Sequence, residues 1–219
     1  MIILAISTSS NNASVALLEN DICIKELNII NEKTHSEKLM PLIDELFTIT
    51  GFSLSDVSLI ACDNGPGSFT GLRIGIATTK ALAEVKNIPV IGLSSLDALS
   101  YNVPQSKYIC SLIDARNNQV YCAIFDKEHN LISDYMADDI NNLLSIFEKY
   151  NDISFVGDGY TNHKDLFNQS TTYDDIIYSK YIAVSAYKKF LSGKSTTPDL
   201  LSVMYLRKSQ AERMLNLKQ

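Results

Sequence analysis

The sequence lacks long hydrophobic runs and contains few cysteines. Nowhere among its 219 residues are about 18 consecutive positions apolar, so we expect no membrane span. Residues 1–6 show neither a basic n-region nor a small-residue cleavage site, so we expect no signal peptide. No cysteine belongs to a C-x-x-C pair, and each lies in an apolar, strand-like run. We therefore expect buried, reduced thiols of a cytosolic protein at Cys23, Cys62, Cys110 and Cys122.

Histidine is also scarce. The three histidines, His35, His129 and His163, are far apart, and no second histidine follows His35 within its helix. Because a zinc site needs several converging ligands, the sequence predicts no metal centre and gives little support to a metallopeptidase. We expect His35 to be an exposed residue of a first helical turn. The spacing supports no Ser/His/Asp arrangement, so we assign no catalytic residue.

The net charge is −6, and it is unevenly distributed. Residues 180–219 hold eight Lys/Arg against two acidic residues, a balance of +6, so the first 179 residues carry −12. An acidic body argues against nucleic-acid binding by the chain alone. The basic segment is either a solvated helix face or a surface for an acidic partner or RNA, and both interpretations stay open.

Residues 63–75, with the sequence DNGPGSFTGLRIG, are the most distinctive part of the chain. The apolar run 57–61 before them predicts one buried strand, whereas 69–85 predicts a helix. Gly65 and Gly67 allow the tight turn between the two. The stretch has no Lys-Ser/Thr pair after its last glycine, as a Walker loop requires, and no G-x-S-x-G elbow.

The start of this helix has the chemistry of an anion site. Ser68 or Thr70 can cap it, and the unpaired N–H groups with the helix dipole favour an anion such as phosphate. Gly71 and Arg73 complete this candidate phosphate loop. Arg73 would reach an anion, a partner carboxylate or an ordinary surface salt bridge. The other interpretation of the loop is a tight turn with no ligand, and the pattern leaves both open.

The whole chain follows one order of elements, βββαβαβα, given twice. The first copy has strands at 2–7, 14–18 and 22–27, a helix at 34–50 with a capping box at Thr34 and Glu37, a strand at 57–61, a helix at 69–85, a strand at 88–91 and a helix from 94 or 95. The second copy has strands at 108–113, 119–125 and 131–136, a helix at 139–150, a strand at 153–156, a helix to about 167, a weak strand near 176–178 and a helix at 181–191.

This order predicts an α/β protein of two actin-like (RNase H-like) lobes, at residues 1–103 and 104–219. Each lobe would be a mixed five-stranded sheet with helices on both faces. A last helix from Ser209 would pack back on the first lobe. The lobes would face a cleft, with a glycine turn of each at strand C-terminal ends, where open sheets bind ligands.

Six motifs spread over nearly the whole length carry a family resemblance. They are ILAISTS at 3–9, HSEKLMPLI at 35–43, GPGSFTGLRIG at 65–75, DAR at 114–116 with VY at 120–121, VGDG at 156–159 and YLR at 205–207. The chain resembles the actin/sugar-kinase/Hsp70 (ASKHA) fold and, more narrowly, the TsaB (YeaZ-like) family of bacterial tRNA threonylcarbamoyladenosine biosynthesis proteins. The GPGSFTGLRIG run is specific to this family and its catalytic paralogue TsaD.

The resemblance implies a non-catalytic scaffold or activator. In the biosynthesis of threonylcarbamoyladenosine, threonylcarbamoyl-adenylate is first made from threonine, bicarbonate and ATP. TsaD then transfers the threonylcarbamoyl group to tRNA. The acceptor is the adenosine beside the anticodon of tRNAs reading codons that begin with A. The implied partners are TsaD and the small ATPase TsaE, with a homodimer when alone and tRNA only within the complex. The chain alone would hold no cofactor, although ATP or ADP at the complex interface stays open, and the location would be cytoplasmic.

An active ATPase of this fold needs an acidic residue at the end of its first strand to hold Mg²⁺ through water. Related proteins usually read I-D-T-S there, whereas this chain has Ser7 in I-S-T-S. Ser7 lacks the charge, so we interpret the glycine stretch as a vestigial phosphate loop. Asp114, at the end of the first strand of the second lobe, either contacts a ligand or is a turn residue. A small ATP-dependent kinase of the same fold is the alternative, with a metallopeptidase as a third.

The helix at 34–50 indicates an interface. Its apolar positions cover about 180° of the circumference, wider than the ~100° that packing on one core requires. Small residues in the next helix, four positions apart at Gly71 and Gly75, would let another helix approach closely. The alternative is packing on its own sheet. The resemblance implies a dimer or partner interface formed by His35, Leu39, Met40, Ile43, Phe47, Leu72 and Gly75.

Overall fold

The computed structural model describes residues 1–30, 35–169 and 171–207. Its first sheet has five strands in the order β3-β2-β1-β4-β5. They are β1 Ile2–Ser7, β2 Asn12–Glu19, β3 Ile22–Ile30, β4 Val57–Gly65 and β5 Val90–Ser94. The first three form an antiparallel meander, and β4 and β5 extend it in parallel with β1, so the predicted mixed sheet is confirmed.

The second sheet repeats this order with four strands, β8-β7-β6-β9. They are β6 Tyr108–Asp114, β7 Gln119–Asp126, β8 Met136–Asp139 and β9 Ile153–Val156. The antiparallel β6, β7 and β8 are followed by β9, parallel to β6. The α/β class with two mixed sheets is confirmed, but the fifth strand expected in the second lobe is absent from the described residues.

Two local predictions in the second lobe are wrong. The strand expected at 131–136 is interrupted: Leu131 forms a single bridge with Phe125, but the Ser133 hydroxyl then accepts from the Ile124 N–H at 2.9 Å in place of a backbone carbonyl, and the regular strand starts only at Met136. The segment near 176–178 is irregular, because the Asn102 side-chain amide donates to the carbonyls of Asp174 and Ile176. Side-chain hydrogen bonds therefore replace sheet bonds in both places.

The described residues form six α-helices, of which the first four connect strands and the last two follow β9. They are α1 His35–Thr50, α2 Phe69–Glu84, α3 Ser95–Ser100, α4 Ile140–Phe147, α5 Asp158–Asn162 and α6 Ser179–Leu191. The helix expected up to residue 167 is the short α5 and a 3-10 turn, Lys164–Leu166. The Thr34 cap and the helix from Ser209 fall outside the described residues. Among the helices described, none combines the length and apolarity that a bilayer crossing requires.

The first sheet is covered on both faces. Alternate residues of β1 point to opposite sides, so Ile3 and Ala5 join one core while Leu4 and Ile6 join the other. Helices α1 and α2 cover the second of these faces, and α3 and α6 the first. Helix α6 follows the second sheet in the chain but packs on the strands of the first. One core therefore lies between the sheets and joins them.

Three of the four cysteines are buried as expected, but Cys23 is exposed. It lies on β3, an edge strand whose first four residues all face solvent. Burial raises the pKa of the Cys62 thiol to about 12, so this thiol is protonated at neutral pH.

We expect one thiol to react with Ellman's reagent in the native protein and four in denaturant, measured by absorbance at mildly alkaline pH. Partial burial and the nearby Glu26 raise the pKa of Cys23, so its reaction should be slower than that of free cysteine. The control, Cys23→Ser, should leave no reactive thiol in the native state. A second native thiol of similar rate would contradict the buried positions of the other three.

Candidate functional site

The glycine turn and the loop after β1 meet at one edge of the first sheet. Strands β1 and β4 are parallel, so their carboxyl ends emerge side by side. The Ser68 N–H donates to the Ser9 carbonyl at 2.6 Å, and the Thr8 hydroxyl donates to the Gly71 carbonyl at 2.8 Å. Ser68 is also the N-cap of α2, because its hydroxyl accepts from the Gly71 N–H at 3.2 Å.

Close packing explains three of the glycines without a ligand. A Cβ at Gly67 would overlap the Ser9 carbonyl, and one at Gly71 would overlap the carbonyl of Thr8. A Cβ at Gly75 would overlap the Thr8 hydroxyl, one turn further along α2. The loop after β1 therefore fills the space beside the turn, where the backbone approach requires residues with no side chain.

A buried carboxylate, Asp63, lies at the centre of this contact. Its side chain is fully buried at the end of β4 and accepts from the Ser7 hydroxyl at 2.6 Å, the Thr8 N–H at 3.3 Å and the Ser9 hydroxyl. Burial raises the pKa of Asp63, and these donors oppose the rise. Asp63 had no predicted role, because its partners are more than 50 positions away in the chain.

The resemblance to the ASKHA fold implies a nucleotide bound with Mg²⁺ at the carboxyl ends of β1 and β4. The residues at the end of β1 do not fit such a ligand. Mg²⁺ held through water requires carboxylate oxygens that face the cleft. Ser7 carries no charge, and its hydroxyl is already bonded to Asp63. The Asp63 oxygens are used by three donors and are not exposed to solvent.

A cleft of about 590 Å³ opens between the two sheets beside this loop. One wall consists of the loop after β1 and the start of α2, including Ser9, Ser68 and Thr70. The opposite wall, from the second lobe, includes Asp114 and Asp158. The structure therefore brings part of the predicted glycine loop and Asp114 to the same cleft.

Asp114 is a turn residue and a cleft residue at once. Its carboxylate accepts from the Arg116 N–H at 2.7 Å and the Asn162 amide at 3.0 Å. The Asp114 N–H donates to the Asp158 carboxylate at 2.8 Å. Burial raises the pKa of Asp158, and the negative charges of Asp114 and Asp175 add to this rise. From the sequence, Asp158 was recognised only as part of the VGDG motif, and no role was predicted for it. The two carboxylates organise the turn that Gly157 opens with a φ of +109°.

Arg73 lies on the outer side of α2. Its guanidinium carbon is 3.8 Å from the centre of the Phe69 ring, and Phe69 is 5.9 Å from the ring of Tyr205. Phe69 and Tyr205 are both about half exposed. The segment before Tyr205 crosses the glycine turn, where the Met204 N–H donates to the Asn64 carbonyl at 2.7 Å.

The residues predicted for the interface lie at different depths. Met40 is 49% exposed, and Phe47 is half-buried against the core beneath α1. The other helical positions are buried within the subunit, namely Leu39, Ile43, Leu72 and Gly75. His35 is half-buried rather than exposed, because its Nε2 lies 2.8 Å from the Ser10 carbonyl oxygen.

Two mixed sheets around a cleft, each with a glycine turn at its strand ends, define a two-lobed protein of the actin/sugar-kinase/Hsp70 class. YeaZ from Pseudomonas aeruginosa has this fold, with a TM-score of 0.82 and 23% identity over 94% of this chain and 99% of that one. The ethanolamine utilization protein EutJ from Carboxydothermus hydrogenoformans is similar at a TM-score of 0.53 and 6% identity, over 84% of this chain and 90% of that one.

Sequence comparisons identify the family within this class. The family model TsaD, tRNA N6-adenosine threonylcarbamoyltransferase, matches residues 29–209. The tRNA threonylcarbamoyladenosine biosynthesis protein TsaB of Bacillus subtilis is 31% identical over 97% of this chain and 96% of that protein. TsaB of Escherichia coli is 35% identical over 59% of this chain and 57% of its own length. The chain belongs to the TsaB family.

Proposed function

We propose that this chain is the non-catalytic scaffold and activator subunit of a tRNA threonylcarbamoyl transferase. A role in tRNA threonylcarbamoyladenosine biosynthesis follows from membership of the TsaB family. In the proposed complex a TsaD-type subunit carries out the transfer to the adenosine beside the anticodon, and a TsaE-type ATPase joins the pair. The complex works in the cytoplasm.

The proposal that the chain is non-catalytic rests on the residues at the end of β1. Ser7 supplies a hydroxyl where a kinase of this fold would need a charged metal-steering group. The nearest carboxylate, Asp63, is buried and engaged by its neighbours. In the part of the chain that the structure describes, the ends of β1 and β4 therefore offer no free carboxylate to hold Mg²⁺ for phosphoryl transfer.

The partner surface is proposed on α1 and the start of α2. Met40 and Ile49, each about half exposed, flank the buried stripe of α1, and Phe69 is half exposed on α2. Where such side chains form a contiguous apolar patch, they mark a surface that a partner covers, and we propose that these residues contribute to one. The same surface serves a homodimer when the partner is absent.

Nucleic acid and nucleotide are proposed only for the assembled complex. The first 179 residues carry a formal charge of −12, which repels the phosphate backbone of free tRNA. Some residues that were predicted for the interface are buried, including Leu39 and Ile43, and they support the proposed partner surface from within the subunit. A nucleotide would bind where the cleft meets the partner.

The test is reconstitution of tRNA modification with the TsaD-type and TsaE-type proteins of the same organism. We expect the tagged chain to recover the TsaD-type protein, and modified adenosine to fall by at least about tenfold when the chain is omitted. The chain alone should hydrolyse no ATP above the buffer rate. Failure to recover that protein, together with ATP turnover by the isolated chain, would favour the kinase alternative.

A further inference from the structure

The end of β1 and the loop after it carry several buried hydrogen-bond donors that converge on one acceptor. The Ser7 and Ser9 hydroxyls and the Thr8 N–H all point to the Asp63 side chain, and all four residues are at most 3% exposed. Unpaired buried donors are costly, so a single strong acceptor is required at this point. In the parallel pair, Ile6 lies opposite Cys62, which places Ser7 and Asp63 side by side at the sheet edge.

We propose that Asp63 is a positioning residue, which supplies from β4 the carboxylate that is missing from the end of β1. Its carboxylate fixes Ser7 at the end of β1 and the loop that follows it, and this loop in turn fixes the first turns of both α1 and α2. The carboxylate thus sets the geometry of the surface that the proposed function gives to the partner. This last step rests on the proposed function, whereas the fixing of the loop does not.

The loop makes a separate contact with each helix. The Ser9 carbonyl accepts from the Ser68 N–H at the N-cap of α2, and the Thr8 hydroxyl donates to the Gly71 carbonyl. The Ser10 carbonyl oxygen lies 2.8 Å from His35 Nε2, in the first turn of α1. A displacement of the loop therefore changes where both helices begin.

A carboxylate suits this position better than a neutral side chain. Its two oxygens accept several hydrogen bonds at once, and hydrogen bonds to a charged acceptor are stronger than neutral ones. An amide at position 63 would direct its N–H₂ group at one hydroxyl, and a serine would be too short to reach all three donors. Ser7 Oγ and Asp63 Oδ2 are only 2.6 Å apart. A carboxylate placed at position 7 on β1 would therefore lie close to where the Asp63 carboxylate lies on β4.

The test is a charge-relocation cycle of the wild type, Asp63→Ser, Ser7→Asp and the double variant, compared by thermal unfolding. Asp63→Ser leaves buried donors unpaired, and Ser7→Asp places two carboxylates side by side. We expect each single variant to lose about 10 °C in Tm, and the double variant to recover at least half of either loss. Losses in the double variant that simply add would overturn the proposal.

A serine variant in the second sheet provides the matched control. Ser111 is fully buried and its hydroxyl has no hydrogen-bond partner among the described residues, so Ser111→Ala should change Tm by less than about 2 °C. If Asp63→Ser does not fold, a folded double variant still supports the relocated charge. If neither folds while Ser111→Ala does, the proposal is wrong.

Binding to the TsaD-type partner gives the second readout, measured by titration at a temperature where every variant is folded. We expect Asp63→Ser to weaken binding by about tenfold and the double variant to restore it to within about threefold. Unchanged binding by Asp63→Ser would overturn the positioning of the partner surface. No binding by the wild type would instead overturn the proposed function, while the Tm cycle would still decide the role of Asp63.

Discussion

Replacing Gly71 by alanine is expected to lower Tm by about 10 °C or to prevent folding. Gly71 lies in the first turn of α2, and a Cβ there would overlap the Thr8 carbonyl, a backbone atom that cannot rotate away. Relieving the overlap requires the helix and the loop after β1 to separate, which breaks the hydrogen bonds between them. Such overpacking costs about 3 kcal/mol.

A decrease in Tm for Gly71→Ala would be informative, because alanine in a helix normally increases stability by about 1 kcal/mol relative to glycine. The control is Gly51→Ala, where φ is +73° and, within residues 1–30, 35–169 and 171–207, no atom beyond its chain neighbours lies within 4 Å of the added Cβ. That variant should lose only about 1 kcal/mol, or 2–4 °C, from the strained backbone. If Gly71→Ala melts at or above the wild-type temperature, the helix and loop are not in the close contact described.

Replacing Met40 by aspartate is expected to weaken binding to the TsaD-type partner roughly 30-fold or more, and to shift any homodimer to monomer. Met40 is half exposed on α1, so a charge there is solvated in the free chain but must be dehydrated in an interface. Pull-down titration and light scattering after gel filtration measure the two effects. Circular dichroism should show an unchanged fold.

The control for this variant is Ile22→Asp on the edge strand β3. Ile22 is 70% exposed and lies outside the proposed surface, so the same chemical change should leave partner binding unaltered. Phe47→Asp is a poorer choice, because Phe47 packs on the core and its loss would destabilise the subunit itself. Equal binding by Met40→Asp and the wild type would place the interface elsewhere.

Regular hydrophobic patterns were sufficient to predict most of the fold from the sequence. The strands β1 and β9 begin and end where the apolar runs predicted, and the helix at 69–85 is α2 with one residue fewer. The wrong predictions depend on contacts that no local pattern shows. Ser133 and Asn102 replace sheet hydrogen bonds with side-chain ones, so β8 is displaced and residues 176–178 are irregular.

The candidate site was predictable only in part. The glycine stretch and its Ser68 cap are visible in the sequence, because glycine and capping residues act locally. Asp63 was not predictable, since its partners Ser7 and Ser9 reach it only through the pairing of β1 with β4. The depth of the interface positions was partly visible, because Ile43 belongs to the regular apolar repeat of the helix and is buried, whereas Met40 lies beside that repeat and is half exposed.

The route of the chain after α6 has a consequence for synthesis on the ribosome. Thr196 pairs with the free edge of β5 at Val90, and the residues up to Met204 then cover the glycine turn. The first sheet is therefore translated long before the residues that pair with β5 and cover its glycine turn are available. Its newly made strands must wait, with one edge and one face uncovered, until the residues up to Met204 have been synthesised.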